Sequence, residues 1–150
     1  KFNVFVLQPL LSHDGQAACA GVRGLLLHGP PGSGKTAIAV ALARLAVAAA
    51  GVNVVYVEAV DIISKVVGKS EDALAQLFAL ARTTAPCMLL IDGLDVLCRP
   101  RGAGGQADAT NDRVVSTLLT EMDGIGRAAA LLAPPVVVLA TAASPARLDA

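Results

Sequence analysis

One short stretch of the chain carries the residue types that bind phosphate groups. It consists of Gly29, Pro30, Pro31, Gly32, Ser33, Gly34, Lys35 and Thr36, and it matches the pattern G-x-x-x-x-G-K-[ST]. The glycines allow a tight bend that turns backbone N–H groups onto an anion, and a following helix adds the positive end of its dipole. Lys35 is expected to reach the β- and γ-phosphates, and Thr36 to offer its hydroxyl to Mg²⁺. The stretch therefore predicts a nucleotide-binding site, with a Gly/Pro turn that merely starts a helix as the alternative.

A second candidate group follows a run of apolar residues. Asp92 comes directly after Cys87–Ile91, and in an open parallel sheet ligands lie at the carboxyl ends of the strands. The Asp92 carboxylate is therefore predicted to hold Mg²⁺ through water. The usual next residue is a glutamate that deprotonates the attacking water, but here it is Gly93. Since general-base assistance is worth on the order of 10²–10⁴ in rate, we expect slow hydrolysis unless Asp95 substitutes; the alternative for Asp95 is a loop-capping or interface role.

The elements that must position these groups alternate between strands and helices. Asn53–Glu58 is almost wholly apolar and is expected to be a buried parallel strand. The first long helix is expected to place Leu45 on its buried face, and Gly124 to end the last helix. This alternation predicts a parallel sheet covered on both faces. The predicted strands are Gly24–His28, Asn53–Glu58, Cys87–Ile91 and Val136–Ala140, with a β-prone segment at Lys1–Val6, and the long predicted helices are Gly34–Ala50, Glu71–Arg82 and Ala109–Met122.

Length and composition favour one domain with its own hydrophobic core. The chain has 150 residues, 55% of them apolar, with 12 basic and 12 acidic side chains. The neutral balance argues against nucleic-acid binding, and no apolar run free of charge, Gly or Pro is long enough for a transmembrane segment. Cys19, Cys87 and Cys98 lack metal-ligand spacing and are expected to be reduced thiols in an intracellular protein.

Four blocks of sequence follow one another in a recognisable order: Leu25–Thr36, Val67–Glu71, Ala85–Asp95 and Asp112–Gly124. Together they resemble AAA+ ATPases, in particular the branch of valosin-containing protein and the peroxisomal-biogenesis ATPases. The resemblance implies an α/β P-loop NTPase fold, a three-layer αβα sandwich with a five-stranded, mainly parallel sheet. Residues 1–150 are then expected to form the large subdomain of an AAA+ core, as a fragment that does not include the helical lid.

The resemblance also implies an ATP-driven ring, usually a homo- or hetero-hexamer, that remodels or unfolds protein substrates. Its expected location is the cytoplasm, including the surface of an organelle membrane. Lys35, Thr36 and Asp92 match the family's contacts to ATP and Mg²⁺. Three departures stand out in the sequence: Gly93 replaces the catalytic glutamate, Ala142 replaces the polar sensor asparagine, and the aliphatic pair Val66–Val67 stands at the substrate-gripping central-pore loop.

The leading hypothesis is an AAA+ module that binds ATP and turns it over slowly within an oligomeric protein-remodelling ATPase. The alternative is a ring subunit that uses bound ATP only for assembly, and phosphate release by the assembled protein distinguishes the two. A kinase or GTPase with a phosphate loop fits less well, because Asp112–Gly124 resembles AAA+ proteins specifically. A DNA-acting AAA+ member is disfavoured by the neutral charge and the lack of a basic stripe.

Overall fold

The strands pair into a parallel sheet whose order differs from their order along the chain. The computed structural model describes residues 24–63, 69–97, 106–129 and 135–143. Within these ranges the sheet has four strands in the order β1-β4-β3-β2, and all neighbours are parallel. The strands are β1 (Gly24–His28), β2 (Asn53–Glu58), β3 (Cys87–Asp92) and β4 (Val136–Ala142). The predicted α/β class and parallel sheet are confirmed.

The described residues contain four strands where five were expected. The β-prone segment Lys1–Val6 lies outside the described residues, as do Cys19, Cys98 and the Val66–Val67 pair. Cys87 is a buried free thiol, as the sequence predicted.

Helices cover both faces of the sheet. The helices are α1 (Lys35–Ala50), α2 (Ala59–Ile62), α3 (Lys69–Thr83) and α4 (Gln106–Ala129), and a 3₁₀ turn spans Leu94–Val96. Strand β3 shows the division, because Met88 and Leu90 pack with α1 whereas Leu89 and Ile91 pack with α2, α3 and α4. Since successive side chains of a strand point to opposite faces, a strand buried on both faces must be continuously apolar. The result is a three-layer arrangement with one core on each side of the sheet.

The expectation that β2 is fully buried was wrong. It lies at the edge of the described sheet, where Val54 and Tyr56 are 36% and 47% exposed. Their partners in register, Met88 and Leu90, are covered by α1, whereas Val54 and Tyr56 themselves remain exposed. An apolar run in the sequence indicates a strand without showing whether that strand is central or at an edge.

The expected burial of Leu45 was also wrong. Helix α1 contacts the sheet through Ala39, Ala43 and Ala46, which are all buried, while Leu45 is 51% exposed. These alanines recur at spacings of three and four residues and so share one face of the helix. Because their side chains are small, this face approaches the sheet closely, and the larger Leu45 side chain lies outside the contact.

Helix α4 continues past Gly124, where the sequence predicted its end. It runs to Ala129, and Ile125, directly after the glycine, is buried. A glycine inside a helix costs about 1 kcal/mol relative to alanine, whereas burial of an isoleucine side chain contributes about 1.5–3 kcal/mol. Near Gly124, Arg82 of α3 pairs with Glu121 of α4 at 2.6 Å, which ties the two helices together.

The parallel arrangement brings the carboxyl ends of all four strands to one edge of the sheet. There Asp92 projects to the same face of the sheet as Leu90, two residues earlier on β3, and Thr141 to the same face as Leu139 on β4. Leu90 and Leu139 both pack against α1. The side chains of Asp92 and Thr141 therefore share the sheet face on which α1 begins.

Candidate nucleotide-binding site

The predicted phosphate-binding stretch forms the loop between β1 and α1. Its first residue is held to the neighbouring strand, because the Gly29 N–H donates to the Ala142 carbonyl at 3.3 Å. The loop closes on itself through the Ser33 N–H, which donates to the Pro30 carbonyl at 3.2 Å. Gly34 precedes α1 with φ 84° and ψ 16°, a left-handed conformation that residues with a Cβ rarely adopt. The loop thus occupies the place that a phosphate-binding loop requires, at the carboxyl end of β1.

The start of α1 is suited to an anion. No side chain caps it, and its first turn contains no acidic residue. The N–H groups of the first turn have no partner within the helix, and the helix dipole adds positive potential there. The Ser33 hydroxyl is buried with no hydrogen-bond partner among the described residues. A phosphate oxygen would satisfy these donors, so the loop fits a phosphate group.

Lys35 lies over the loop. Its Nζ donates to the carbonyls of Gly29 and Pro30, both at 2.9 Å, and its side chain lines the adjoining cavity. These two contacts hold the ammonium group at the mouth of the loop. A bound triphosphate would offer it charged oxygens, which form stronger hydrogen bonds than neutral carbonyls do.

Thr36 and Asp92, which are 56 residues apart in the sequence, meet beside the loop. The Thr36 Oγ1 lies 3.0 Å from Oδ1 and 2.9 Å from Oδ2 of Asp92. A hydroxyl and a carboxylate are oxygen ligands of the kind that Mg²⁺ prefers. The described residues contain no cluster of three His, Cys, Asp or Glu side chains suited to a metal, but Mg²⁺ commonly needs only one or two carboxylates beside substrate phosphates. The pair therefore fits Mg²⁺ bound together with a nucleotide.

Thr141 is a site residue that the sequence analysis did not single out. Its hydroxyl donates to Asp92 Oδ1 and accepts a hydrogen bond from the Gly93 N–H at 2.9 Å. The side chain is 1% exposed, so these two partners fix its orientation. Thr141 thereby holds the Asp92 carboxylate toward Thr36 and anchors the turn that follows β3. The available signal was a hydroxyl residue near the end of an apolar strand, which is too common to be diagnostic.

A cavity of about 320 Å³ opens beside the loop at the carboxyl edge of the sheet. Glu58 at the end of β2 also lines this cavity, although the sequence analysis did not name it. Residues from all these elements contribute to its walls, namely Pro31, Lys35, Thr36, Glu58, Asp92 and Thr141. The predicted site residues on α1 and β3 are therefore brought together around one space.

Gly93, Asp95 and Ala142 also line the cavity, so the departures seen in the sequence lie at the site itself. Gly93 has no side chain to accept a proton, and Ala142 presents a buried methyl group. Asp95 lies in the 3₁₀ turn and accepts a hydrogen bond from the Ala143 N–H at 3.4 Å. That contact matches the capping alternative for Asp95, although the side chain does border the cavity.

The pKa of Tyr56 is affected by desolvation and by the negative charges at the carboxyl ends of β2 and β3. Desolvation raises the pKa of its hydroxyl, and the negative charges of Asp92, Glu58 and Asp61 raise it further. The phenol therefore stays protonated at neutral pH and acts as a donor, and it donates to Glu58 Oε1 at 3.4 Å. The carboxyl ends of β2 and β3 thus form an acidic border opposite the basic Lys35.

The fold and this arrangement are those of a P-loop NTPase domain. A sequence model for the "ATPase family associated with various cellular activities (AAA)" matches residues 25–150. The chain belongs to the AAA ATPase family.

Similar proteins agree with this assignment. The peroxisomal ATPase PEX6 of Homo sapiens is 44% identical over 102 residues, which cover 68% of this chain and 10% of that protein. The cell division cycle protein 48 homolog of Archaeoglobus fulgidus is 40% identical over 127 residues, covering 85% of this chain and 16% of that protein. The human ATPase family gene 2 protein homolog A is also 40% identical over 127 residues, which cover 85% of this chain and 13% of that protein. The chain therefore spans only a small part of the length of these relatives.

None of the helices in the described residues combines the length and the apolar composition that crossing a bilayer requires.

Proposed function

We propose that this chain is the large subdomain of an AAA+ ATPase, that it binds Mg–ATP in the cavity beside the phosphate loop, and that it hydrolyses ATP slowly. The observation that carries the proposal is the meeting of Thr36 and Asp92, at 2.9–3.0 Å, beside a loop over which Lys35 lies. A cationic group, a hydroxyl and a carboxylate converge there on one cavity. This combination suits a nucleotide triphosphate with its metal ion.

Each residue has a distinct part in binding. The Gly29–Gly34 loop and the N-terminus of α1 direct N–H groups at the phosphates, and Lys35 turns from the loop carbonyls to the β- and γ-phosphates. Thr36 and Asp92 would hold Mg²⁺, and the contact of Asp92 would be made through water. When bound, Mg²⁺ neutralises charge on the phosphate oxygens. Thr141 keeps the Asp92 carboxylate in place through its hydrogen bond to Oδ1.

Slow hydrolysis follows from two positions that lack a polar side chain. Gly93 stands where a glutamate would take the proton of the attacking water, and Ala142 stands where an amide would orient that water. General-base assistance contributes on the order of 10²–10⁴ in rate, so losing it leaves binding intact and lowers turnover. The same two departures favour the second candidate, a ring subunit in which ATP serves assembly only.

The assembly, substrate and location are part of the same proposal. The similarity to PEX6 and to cell division cycle protein 48 supports a ring, usually a hexamer of identical or different AAA+ subunits, that acts on protein substrates through a central pore. The word peroxisomal in the name of one relative supports a cytoplasmic location with association to an organelle membrane.

A titration with a fluorescent ATP analogue and Mg²⁺ tests the binding proposal. The variant Lys35→Ala should weaken binding about tenfold to hundredfold, because a hydrogen bond to a charged group contributes about 1.5–3 kcal/mol. Lys35→Met removes the charge but keeps the apolar part of the side chain, and it should weaken binding in the same way. Arg44→Ala, on the exposed side of α1, is the control and should leave binding unchanged. Absence of saturable binding in the unaltered protein would reject the proposal. Phosphate release by the assembled, full-length protein then separates slow hydrolysis from an assembly role.

A further inference from the structure

Glu58 lies beside Asp92 at the carboxyl edge of the sheet. The two residues are partners in the parallel register of β2 and β3, which is the last pair of that ladder. Neighbouring strands lie about 4.8 Å apart, and residues in register project to the same face. The Glu58 side chain therefore projects on the face of the phosphate loop and lines the same cavity as Lys35 and Asp92.

One described hydrogen bond reaches the carboxylate of Glu58. Tyr56, two residues earlier on the same face, donates its hydroxyl to Oε1 at 3.4 Å. Glu58 is exposed, so solvent reaches it and a water molecule can lie between it and a bound nucleotide. Its carboxylate supplies acceptor oxygens at the cavity, which Gly93 lacks.

Asp95 is the rival for the same role. It borders the cavity, but its Oδ1 accepts a hydrogen bond from the Ala143 N–H, which ties it to the end of β4. Its position in the 3₁₀ turn and this backbone contact together suit a structural role. The hydrogen bond described for Glu58 comes instead from the hydroxyl of the half-exposed Tyr56 side chain and not from a backbone N–H group.

We propose that Glu58 takes the place of the missing glutamate and assists the attacking water in whatever hydrolysis this site performs. The proposal rests on the ATP-binding function proposed above. The water oxygen forms a bond to the γ-phosphorus while the bond from that phosphorus to the β–γ bridging oxygen breaks, and the electron pair stays on ADP. One water proton passes to the Glu58 carboxylate and then to the released phosphate. A base reaching from the neighbouring strand is less well placed than one at position 93, so the turnover that Glu58 supports is expected to be slow.

The test compares Glu58→Gln with two matched carboxylate variants in the full-length protein. Asp95→Asn removes the rival, and Asp61→Asn removes an exposed carboxylate near Tyr56 that does not line the cavity. Glu58→Gln should lower single-turnover hydrolysis by about tenfold or more, toward the level of Lys35→Ala, and the other two variants should not. Affinity for a non-hydrolysable ATP analogue with Mg²⁺ should stay equal or become tighter, because a negative charge beside the triphosphate has been removed.

The outcomes separate this proposal from the binding function. No saturable binding in the unaltered protein rejects the ATP-binding function itself. Normal binding with an unchanged rate in Glu58→Gln overturns the role of Glu58 and leaves ATP binding in place. If the single-turnover hydrolysis rate falls in Asp95→Asn and not in Glu58→Gln, Asp95 is the general base. If the unaltered protein binds ATP but hydrolyses it no faster than Lys35→Ala does, the proposal is also overturned. That result favours the assembly role.

Discussion

The substitution Gly93→Glu returns a carboxylate to the position that follows Asp92, and its cost can be worked out from the backbone. Gly93 has φ 75° and ψ 42°, a left-handed conformation that costs a residue with a Cβ about 1–2 kcal/mol. Space is not the obstacle, because the nearest atom to an added Cβ would be the Val96 Cγ2 at 3.9 Å. For a domain of about this size each kcal/mol lowers Tm by about 2–4 °C, so we expect a decrease of about 2–8 °C.

The matched control is Gly93→Gln, which has the same backbone strain and nearly the same side-chain volume but accepts no proton. Both variants should melt at the same lowered temperature in a differential scanning experiment. In single-turnover hydrolysis by the assembled protein, Gly93→Glu should exceed Gly93→Gln by at least about tenfold, within the 10²–10⁴ that a general base contributes. The gain should be larger in the Glu58→Gln background, where no second carboxylate assists.

A missing carboxylate at position 93 does not limit turnover if Gly93→Glu binds nucleotide and assembles normally but hydrolyses ATP no faster than Gly93→Gln. In that case the buried methyl of Ala142, or a feature outside the site, limits turnover. A Tm decrease in Gly93→Gln alone would contradict the strain argument, since the two side chains share one backbone conformation.

Two further predictions concern stability. Thr141→Val leaves the Gly93 N–H without its partner and should lower the free energy of unfolding by about 1–3 kcal/mol in a denaturant titration, whereas Thr141→Ser should retain most of it. Equal stability of the two variants would show that the hydroxyl contributes nothing. Phe78→Ala, at a fully buried position, should cost about 3–5 kcal/mol, while Leu119→Ala, at a 61% exposed position, should change the same quantity by less than about 0.5 kcal/mol. Similar losses at both would contradict the assigned cores.

The parts of the fold that the sequence predicted correctly are those set by neighbouring residues. The loop between β1 and α1 comes from a contiguous pattern, and the position of Asp92 at the end of β3 follows from the apolar run directly before it; the binding of phosphate by this loop stays a prediction. The end of α1 at Gly51 was also predictable, because Gly51 is left-handed and its N–H donates to the Val47 carbonyl at 3.0 Å. Each of these features depends on residues within one or two turns of each other.

The parts that were missed depend on which elements meet in space. Whether β2 is buried depends on the strand order, and whether Leu45 is buried depends on the face of α1 that meets the sheet. The end of α4 was misjudged because Gly124 packs near α3, where tertiary contacts outweigh the weak preference of glycine for a helix end. The composition of each segment alone contains none of this information.

Glu58 shows why the acid–base chemistry of this site could not be read from the sequence. Starting from Gly93, the sequence directs attention to the nearest carboxylate along the chain, which is Asp95. In the sheet, however, nearness is set by register, and the ladder of β2 and β3 brings Glu58 next to Asp92, although the two are 34 residues apart in the sequence. A carboxylate lost from one strand end can therefore be replaced from the neighbouring strand without leaving any local pattern. For a phosphate-loop site with a missing catalytic glutamate, the residue paired with the metal-holding aspartate is the position to examine before hydrolysis is judged absent.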